Sequence, residues 1–256
     1  MSDMTLHDYE NATRAAVSPD FTAKLFTRIG VDRYVTAASA LGPVYVAWRA
    51  SGVCGLRLAD GERAFEAWYA ERFGRRVVAA VEDDPVASAA RAKLAGEDVA
   101  VPLDLDACSP FEQRVLRAAA GITPGNARPY GWVARELGAP DATRAVGNAL
   151  GRNPVPLLIP CHRVTRKGGD VGGYVFGSET KRKLLEAEGL DFGAIERVTR
   201  LGFGYVGNDE DGTFCLPTCG DVACHIDEPG FYGLRSAEEA HAHGFVPCTT
   251  CRPIAA

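Results

Sequence analysis

Four cysteines near the C-terminus restrict what this chain can fold into more than any other feature. Cys215 and Cys219 enclose three residues, Cys248 and Cys251 enclose two, and 28 residues separate the pairs. Each short loop lets two thiolates meet one tetrahedral ion, so the spacing is that of a four-cysteine zinc site. A segment of ~55 residues has little core of its own, and a metal supplies the cross-link that burial cannot. Cys224-His225 lies between the pairs and offers a second, less regular ligand set. Disulfides would be the competing use of these thiols. The N-terminal Met1-Ser2-Asp3-Met4 is acidic and lacks the apolar core of a secretory signal, and no apolar run approaches the ~20 residues of a membrane span. The expectation is a cytoplasmic protein without a membrane partner, where thiols stay reduced.

The net charge of −5 over 256 residues argues, as a whole-chain figure, against a nucleic-acid partner. Its distribution argues the other way. Residues 114–183 hold 12 Lys and Arg against four Asp and Glu, a local +8, which leaves −13 for the remainder. Such a block is either a polyanion-binding surface or a solvated charged face. The 46% apolar content excludes wholesale disorder.

The pattern divides the chain into a helical lead over 1–29 and three further regions: 30–104, 105–195 and 200–256. The first of these reads as β-rich, with a hairpin of two apolar runs around Arg49-Ala50-Ser51-Gly52, helices near 62–73 and 84–95, and an acidic link at 101–106. Cys54 sits in an apolar strand and reads as a core residue; Cys108 has no assigned role. A helix starts at Ser109-Pro110-Phe111-Glu112, where Ser109 caps, Pro110 fits the first turn and Glu112 completes a capping box. Two short helices follow, 130–137 and 142–151, the second with Asp141 as the expected cap, around a Gly-containing turn as in a helix-turn-helix. The second helix carries Ala142, Ala145, Gly147, Ala149 and Gly151, too small to fill a core but suited to close approach. Arg144, Asn148 and Arg152 recur along one of its faces.

Beyond Asn153-Pro154-Val155-Pro156 comes Pro160-Cys161-His162-Arg163-Val164. A thiol becomes a good nucleophile as thiolate, and an adjacent imidazole held by a further group can supply that activation. The pieces R-A-V-G at 144–147, N-P-V-P-L-L-I-P-C-H-R-V at 153–164, G-G-Y at 172–174 and L-L-E-A-E-G at 184–189 resemble the catalytic domain of the O-6-alkylguanine-DNA alkyltransferases, also called methylated-DNA–protein-cysteine methyltransferases. The resemblance implies DNA repair on double-stranded DNA with alkylated bases. In that reaction one alkyl group passes irreversibly from O-6-alkylguanine, with O-4-alkylthymine as a further substrate, to Cys161 in a single turnover. It assigns His162 as base through a water, Glu188 as its orienter and Asn153 as the brace of the turn. It makes Tyr130 the donor toward the guanine ring and Arg144 the finger filling the vacated stack. Val164 and Val175 would contact the base through their backbone, and Tyr174 would line the pocket. Val175 replaces the Ser or Gly common in the family, which bears on pocket size. The resemblance further implies an RNase-H-like first domain over 30–104 and a monomer.

T-F-C-L-P-T-C at 213–219, F-Y at 231–232, S-A-E-E-A at 236–240 and G-F-V-P-C-T-T-C-R-P at 244–253 are similar to the metal-binding domain of Ada. That likeness implies one Zn2+ on Cys215, Cys219, Cys248 and Cys251, and makes Cys215 a second acceptor, for methyl from DNA phosphotriesters. Here the domain comes last rather than first, and Gly220-Asp221-Val222-Ala223 stands where Ada has basic residues. A purely structural zinc knuckle is the other reading of the tail. The expected fold is α+β and multidomain: an RNase-H-like domain, a helical alkyltransferase domain with a helix-turn-helix, and a small four-cysteine zinc domain. A protein that recognises damaged DNA without transfer is the alternative function.

Overall fold

The computed structural model describes residues 30–80 and 84–253, so the helical lead expected over 1–29 lies outside the described residues. The chain divides into two compact units at Ala107–Cys108. Both mix helices and strands. Among the described residues no helix is long and apolar enough to cross a membrane.

In the first unit, β1 (Val31–Ala37), β2 (Val44–Arg49), β3 (Gly52–Leu58) and β4 (Arg76–Ala79) form a sheet in the order β3-β2-β1-β4. The expected hairpin is the antiparallel β2–β3 pair. β4 returns parallel to β1 through α1 (Glu62–Phe73), the crossover that parallel strands require. α1 buries Phe65 and Tyr69, which join Tyr34, Tyr45 and Cys54 in one apolar cluster. Cys54 is therefore the core residue its strand suggested. Asp32 is buried but not unpaired, accepting two bonds from Arg75 at 2.8 Å and one from the Tyr69 hydroxyl at 2.7 Å. α2 (Pro85–Leu94) is capped by Asp84. The acidic link lies along β3: Val53 N–H donates to the Pro102 carbonyl and Asp104 N–H to that of Val53. Gly52 has to be glycine, since a Cβ there would stand 2.5 Å from the Pro102 oxygen.

The second unit opens with α3 (Pro110–Ala120), whose capping box of Ser109 and Glu112 is formed as its sequence requires. A two-residue strand β5 (Arg128–Pro129) runs directly into α4 (Tyr130–Glu136) and pairs in parallel with β6 (Val164–Thr165). A 3-10 turn, Pro140–Ala142, precedes α5 (Thr143–Gly151). Asp141 does not cap α5 as expected: the helix begins one residue later, with Ala142 at the cap position and no side-chain acceptor. The Pro140 ring starts the tighter turn, which takes Asp141 into itself. α5 buries Val146, Ala149 and Leu150 and leaves Arg144, Ala145, Asn148 and Arg152 on its exposed face.

α6 (Ser178–Ala187) is followed by α7 (Phe192–Arg200), which Asp191 caps and which sequence reading did not single out. A second sheet follows, β10-β8-β7-β9, from β7 (Tyr205–Asn208), β8 (Thr213–Cys215), β9 (Phe231–Leu234) and β10 (Val246–Pro247). Short helices α8 (Gly220–Ala223) and α9 (Ala237–Ala242) complete it. One apolar cluster runs through this unit without a break, from Leu185, Phe192 and Ile195 to Val206, Val222 and all four terminal cysteines. The tail is thus packed on the helices before it.

Candidate active site and metal centre

The loop that leads to Cys161 is a turn closed on itself by one side chain. Asn153 donates from Nδ2 to the Ile159 carbonyl at 3.0 Å and to Cys161 Sγ at 3.2 Å, while its Oδ1 accepts from Val155 N–H at 3.1 Å. Three bonds from one buried amide hold a turn in which Leu157 adopts φ 73°, the left-handed region that a branched residue enters at a cost of about 1–2 kcal/mol. The turn delivers Cys161 into a 3-10 segment, Cys161–Arg163, where the thiol is 5% exposed. Burial pushes the Cys161 thiol up from its ordinary range, against the opposing pull of Asn153 and the nearby Lys181. A sulfur so placed keeps its proton unless a base takes it.

The next residue is a histidine. His162 Nε2 lies 3.0 Å from Glu188 Oε1, and the imidazole is 3% exposed. With Nε2–H donating to the carboxylate, Nδ1 is left as the lone-pair nitrogen, and no described residue hydrogen-bonds it. Glu188 is half-buried, which by itself would raise its pKa, but hydrogen bonds from His162 and Arg163 prevail and hold it below the usual carboxylate range. Arg163 makes the larger share of that clamp. Its Nε donates to both carboxylate oxygens at 3.1 and 3.0 Å, its Nη2 to Oε1 at 2.8 Å and its Nη1 to the Ile122 carbonyl at 2.6 Å. Sequence reading gave Arg163 no part, although its place directly after the Cys-His pair was a usable signal.

Lys181 is the second residue that reading missed. It is wholly buried, donating from Nζ to the Val164 carbonyl at 2.5 Å and the Gly173 carbonyl at 3.3 Å, 5.7 Å from the centre of the Tyr130 ring. Burial pushes the ammonium down to about 8. A lysine sharing the buried face of α6 with Leu184 and Leu185 was the sign to look for. Tyr130 starts α4, its hydroxyl beside Gly172 and its ring against Gly147 of α5, and burial raises its hydroxyl above the ordinary range. Tyr174 meets the His162 ring edge-on at 6.1 Å, and its buried hydroxyl has no described partner. Val164 is buried in β6, and Val175, 55% exposed, stands at the rim. Burial first, and then proximity to Cys161, raises the Tyr174 hydroxyl well above its ordinary range. Arg144 projects from the exposed face of α5.

The four terminal cysteines converge. Their sulfurs all lie within 4.8 Å of one another, and none of the four residues is more than 5% exposed. Tetrahedral thiolates at about 2.3 Å from zinc stand roughly 3.8 Å apart, so the cluster fits the ion. Hydrogen bonding to Cys219 and Cys251 and burial drive the Cys215 thiol far above its ordinary range. Sulfurs packed this closely share their negative charge only around a cation. Cys224 and His225 do not form the alternative set: Cys224 is exposed, and His225 pairs with Glu228 at 2.9 Å.

Both metal loops dock on one stretch, 126–132. Thr218 Oγ1 donates to the Ala127 carbonyl at 2.8 Å, and Gly220 N–H to Asn126 Oδ1 at 2.9 Å. Arg128 Nη2 donates to the Thr250 carbonyl at 3.1 Å and Trp132 Nε1 to that of Cys251 at 2.8 Å. Arg252 lies over the Trp132 ring and pairs with Glu136 at 2.6 Å. Gly220 permits this approach, because a Cβ there would meet the Gly125 carbonyl at 2.9 Å.

Residues 110–190 match the family model for the 6-O-methylguanine DNA methyltransferase DNA binding domain, and residues 201–253 match that for the metal binding domain of Ada. A methylated-DNA–protein-cysteine methyltransferase of Mycobacterium leprae is 37% identical over 153 residues, which is 59% of this chain and 88% of the relative. The chain belongs to this family. Other methylated-DNA–protein-cysteine methyltransferases align over shorter stretches. That of Mycobacterium bovis is 45% identical over 98 residues, 38% of this chain and 59% of the relative. That of Salmonella typhimurium is 43% identical over 81 residues, 32% of this chain and 47% of the relative. Among solved structures, the O6-methylguanine methyltransferase of Mycobacterium tuberculosis is 35% identical, with a TM-score of 0.46 over 61% of this chain and 92% of that one.

Proposed function

We propose that Cys161 is the acceptor in the alkyl transfer by which methylated-DNA–protein-cysteine methyltransferases repair DNA. The observation that carries the assignment is the Asn153–Cys161 contact inside the buried turn together with the His162–Glu188–Arg163 contacts that tie the next two residues to the end of α6. His162 takes the thiol proton at Nδ1 through a water, and Glu188 holds the imidazole and balances its charge. The sulfur attacks the alkyl carbon, the S–C bond forms as the C–O bond breaks, and the electron pair passes to the guanine. Tyr130 donates a proton toward the ring, and the proton held on His162 restores the balance. The products are a thioether and an unmodified guanine. Nothing regenerates the thiol, so each chain acts once.

The substrate is double-stranded DNA with an O-6-alkylguanine drawn out of the stack, and O-4-alkylthymine is a second substrate of the same pocket. α4 and α5 act as a helix-turn-helix, with the small residues of α5 entering the minor groove and Arg144 filling the vacated stack. Residues 30–104 serve as an RNase-H-like domain, the protein works as a monomer, and its place is the cytoplasm. The tail holds one Zn2+ on Cys215, Cys219, Cys248 and Cys251. The ion would neutralise the thiolates and cross-link the two loops.

Of the two readings of the tail, the structural one is favoured. Cys215 is fully buried, and the Asp221 carboxylate lies 3.3 Å from Cys248 Sγ, where it would repel a phosphate. The deciding experiment is peptide mass mapping after exposure to DNA carrying O-6-methylguanine and methylphosphotriesters. One added methylene on Cys161, abolished in Cys161→Ala, is the expected result. Methyl on Cys215 would replace the structural reading with phosphotriester repair, and undiminished transfer by Cys161→Ala would overturn the acceptor assignment. Binding without any adduct would leave damage recognition as the function.

A further inference from the structure

The transfer step does not use a groove of about 910 Å3 that begins at Tyr130 and ends on the cysteine-bearing tail. Arg135 of α4, Arg166, Lys167 and, from the tail, Arg235 line it. Glu238 is the one acid lining it. Arg166 is paired with Asp170 at 3.1 Å, whereas Lys167 and Arg235 are exposed and make no ion pair among the described residues. Arg235 is held in place by the Phe203 ring, with its guanidinium carbon 5.4 Å from the ring centre.

We propose that this groove seats the phosphate backbone of the DNA beside the extruded base, so that the tail is part of the DNA-binding surface. The proposal rests on the alkyl-transfer reading of Cys161. A nucleotide whose base enters the Cys161 pocket brings its neighbouring phosphates to the rim of that pocket, and Tyr130 belongs to both pocket and groove. A lining of four cations and one acid fits the monoanions of a nucleic-acid strand. The lining is built rather than incidental, because Trp132 and Arg128 fix the tail loop on α4 through the Cys251 and Thr250 carbonyls. The role of the tail is then positional: its metal would keep Arg235 in the lining that it shares with Lys167, and no sulfur has to touch DNA.

The test is the salt dependence of binding of the full-length, zinc-loaded protein to a duplex carrying O-6-methylguanine. Each phosphate contact contributes about 0.9 to the slope of log affinity against log salt, so Lys167→Gln with Arg235→Gln should lower the slope by about 1.8. Lys183→Gln, on the exposed side of α6 and outside the groove, should leave it unchanged. Zinc content and thermal midpoint equal to wild type establish that the double variant is folded; should it fail there, Arg235→Gln alone is measured for a loss of about 0.9. A wild-type slope in a folded variant overturns the proposal while leaving transfer to Cys161 standing. Absence of transfer by the wild-type chain would remove the underlying reading instead. Loss of binding to duplex RNA with DNA binding intact would assign the groove to another polyanion and also overturn it.

Discussion

A thiol that keeps its proton until the substrate arrives is governed by its immediate neighbours. Lys181 offsets part of the burial that raises Cys161, so Lys181→Met should slow alkylation of Cys161 by iodoacetamide by about tenfold, the effect of one unit of thiol acidity. Trapping timed against a buried-thiol control such as Cys54 would measure it. Glu188 makes a separate prediction. Its folded value lies below the ordinary one, so the folded chain binds that proton less tightly than the unfolded chain does. The resulting stability is present above about pH 4.3 and is lost as pH falls through the folded value. Glu188→Gln removes this contribution, and its thermal midpoint should fall less between about pH 6 and pH 3.5 than that of wild type. The same variant should slow single-turnover transfer on the order of 10²-fold, because the imidazole loses both its orientation and its counter-charge. Arg163→Ala, which leaves the carboxylate in place but unclamped, should cost roughly 10-fold. Equal rates in Glu188→Gln and wild type would remove Glu188 from the mechanism.

At the scale of elements, the decisive feature is that the stretch entering α4 serves two sites. β5 pairs with β6 and so fixes Val164 beside the reactive turn, while Ala127, Arg128 and Trp132 receive both metal loops. Trp132→Ala should destabilise the second unit by about 3–5 kcal/mol in chemical denaturation, the range for emptying a buried aromatic site. Trp132→Phe, which keeps an aromatic ring and loses the N–H, should cost about 1 kcal/mol. Removing the metal with a chelator should act on the same stretch: the amide of Ala127, bonded to the Thr218 carbonyl at 2.9 Å, should exchange with solvent faster. Unchanged protection at Ala127 in the metal-free protein would separate the two sites. The elements themselves were largely written in the sequence where local chemistry decides them. The Ser109–Glu112 box and the β2–β3 hairpin are formed where their residues require them. Asp141 failed as a cap because Pro140 favours a tighter turn first, a contest that a capping rule alone does not weigh.

Over the whole molecule, the reaction consumes the protein, and the amount of DNA repaired should saturate at one alkyl group per chain however long the incubation. Release of label beyond that ratio would show that the thioether is reversible. The charge distribution acts at this scale too, since a net −5 conceals the basic block that holds the reactive turn and the helices before it. By itself the sequence marked the residues on which the proposed chemistry rests. Cys161 beside His162 and the two cysteine pairs are legible as the proposed nucleophile and a metal site because such functions depend on residue type at short spacing, and short spacing survives any fold. Only the tertiary structure decided what stands behind each group. Arg163 reaches Glu188 across 25 positions and Trp132 reaches Cys251 across 119, distances in sequence at which no local pattern exists. Tertiary packing alone also decided that the metal loops close one side of a cationic groove. Contacts of that kind are set by how apolar faces pack, and the positions they bring together carry no mark of it in the order of the chain.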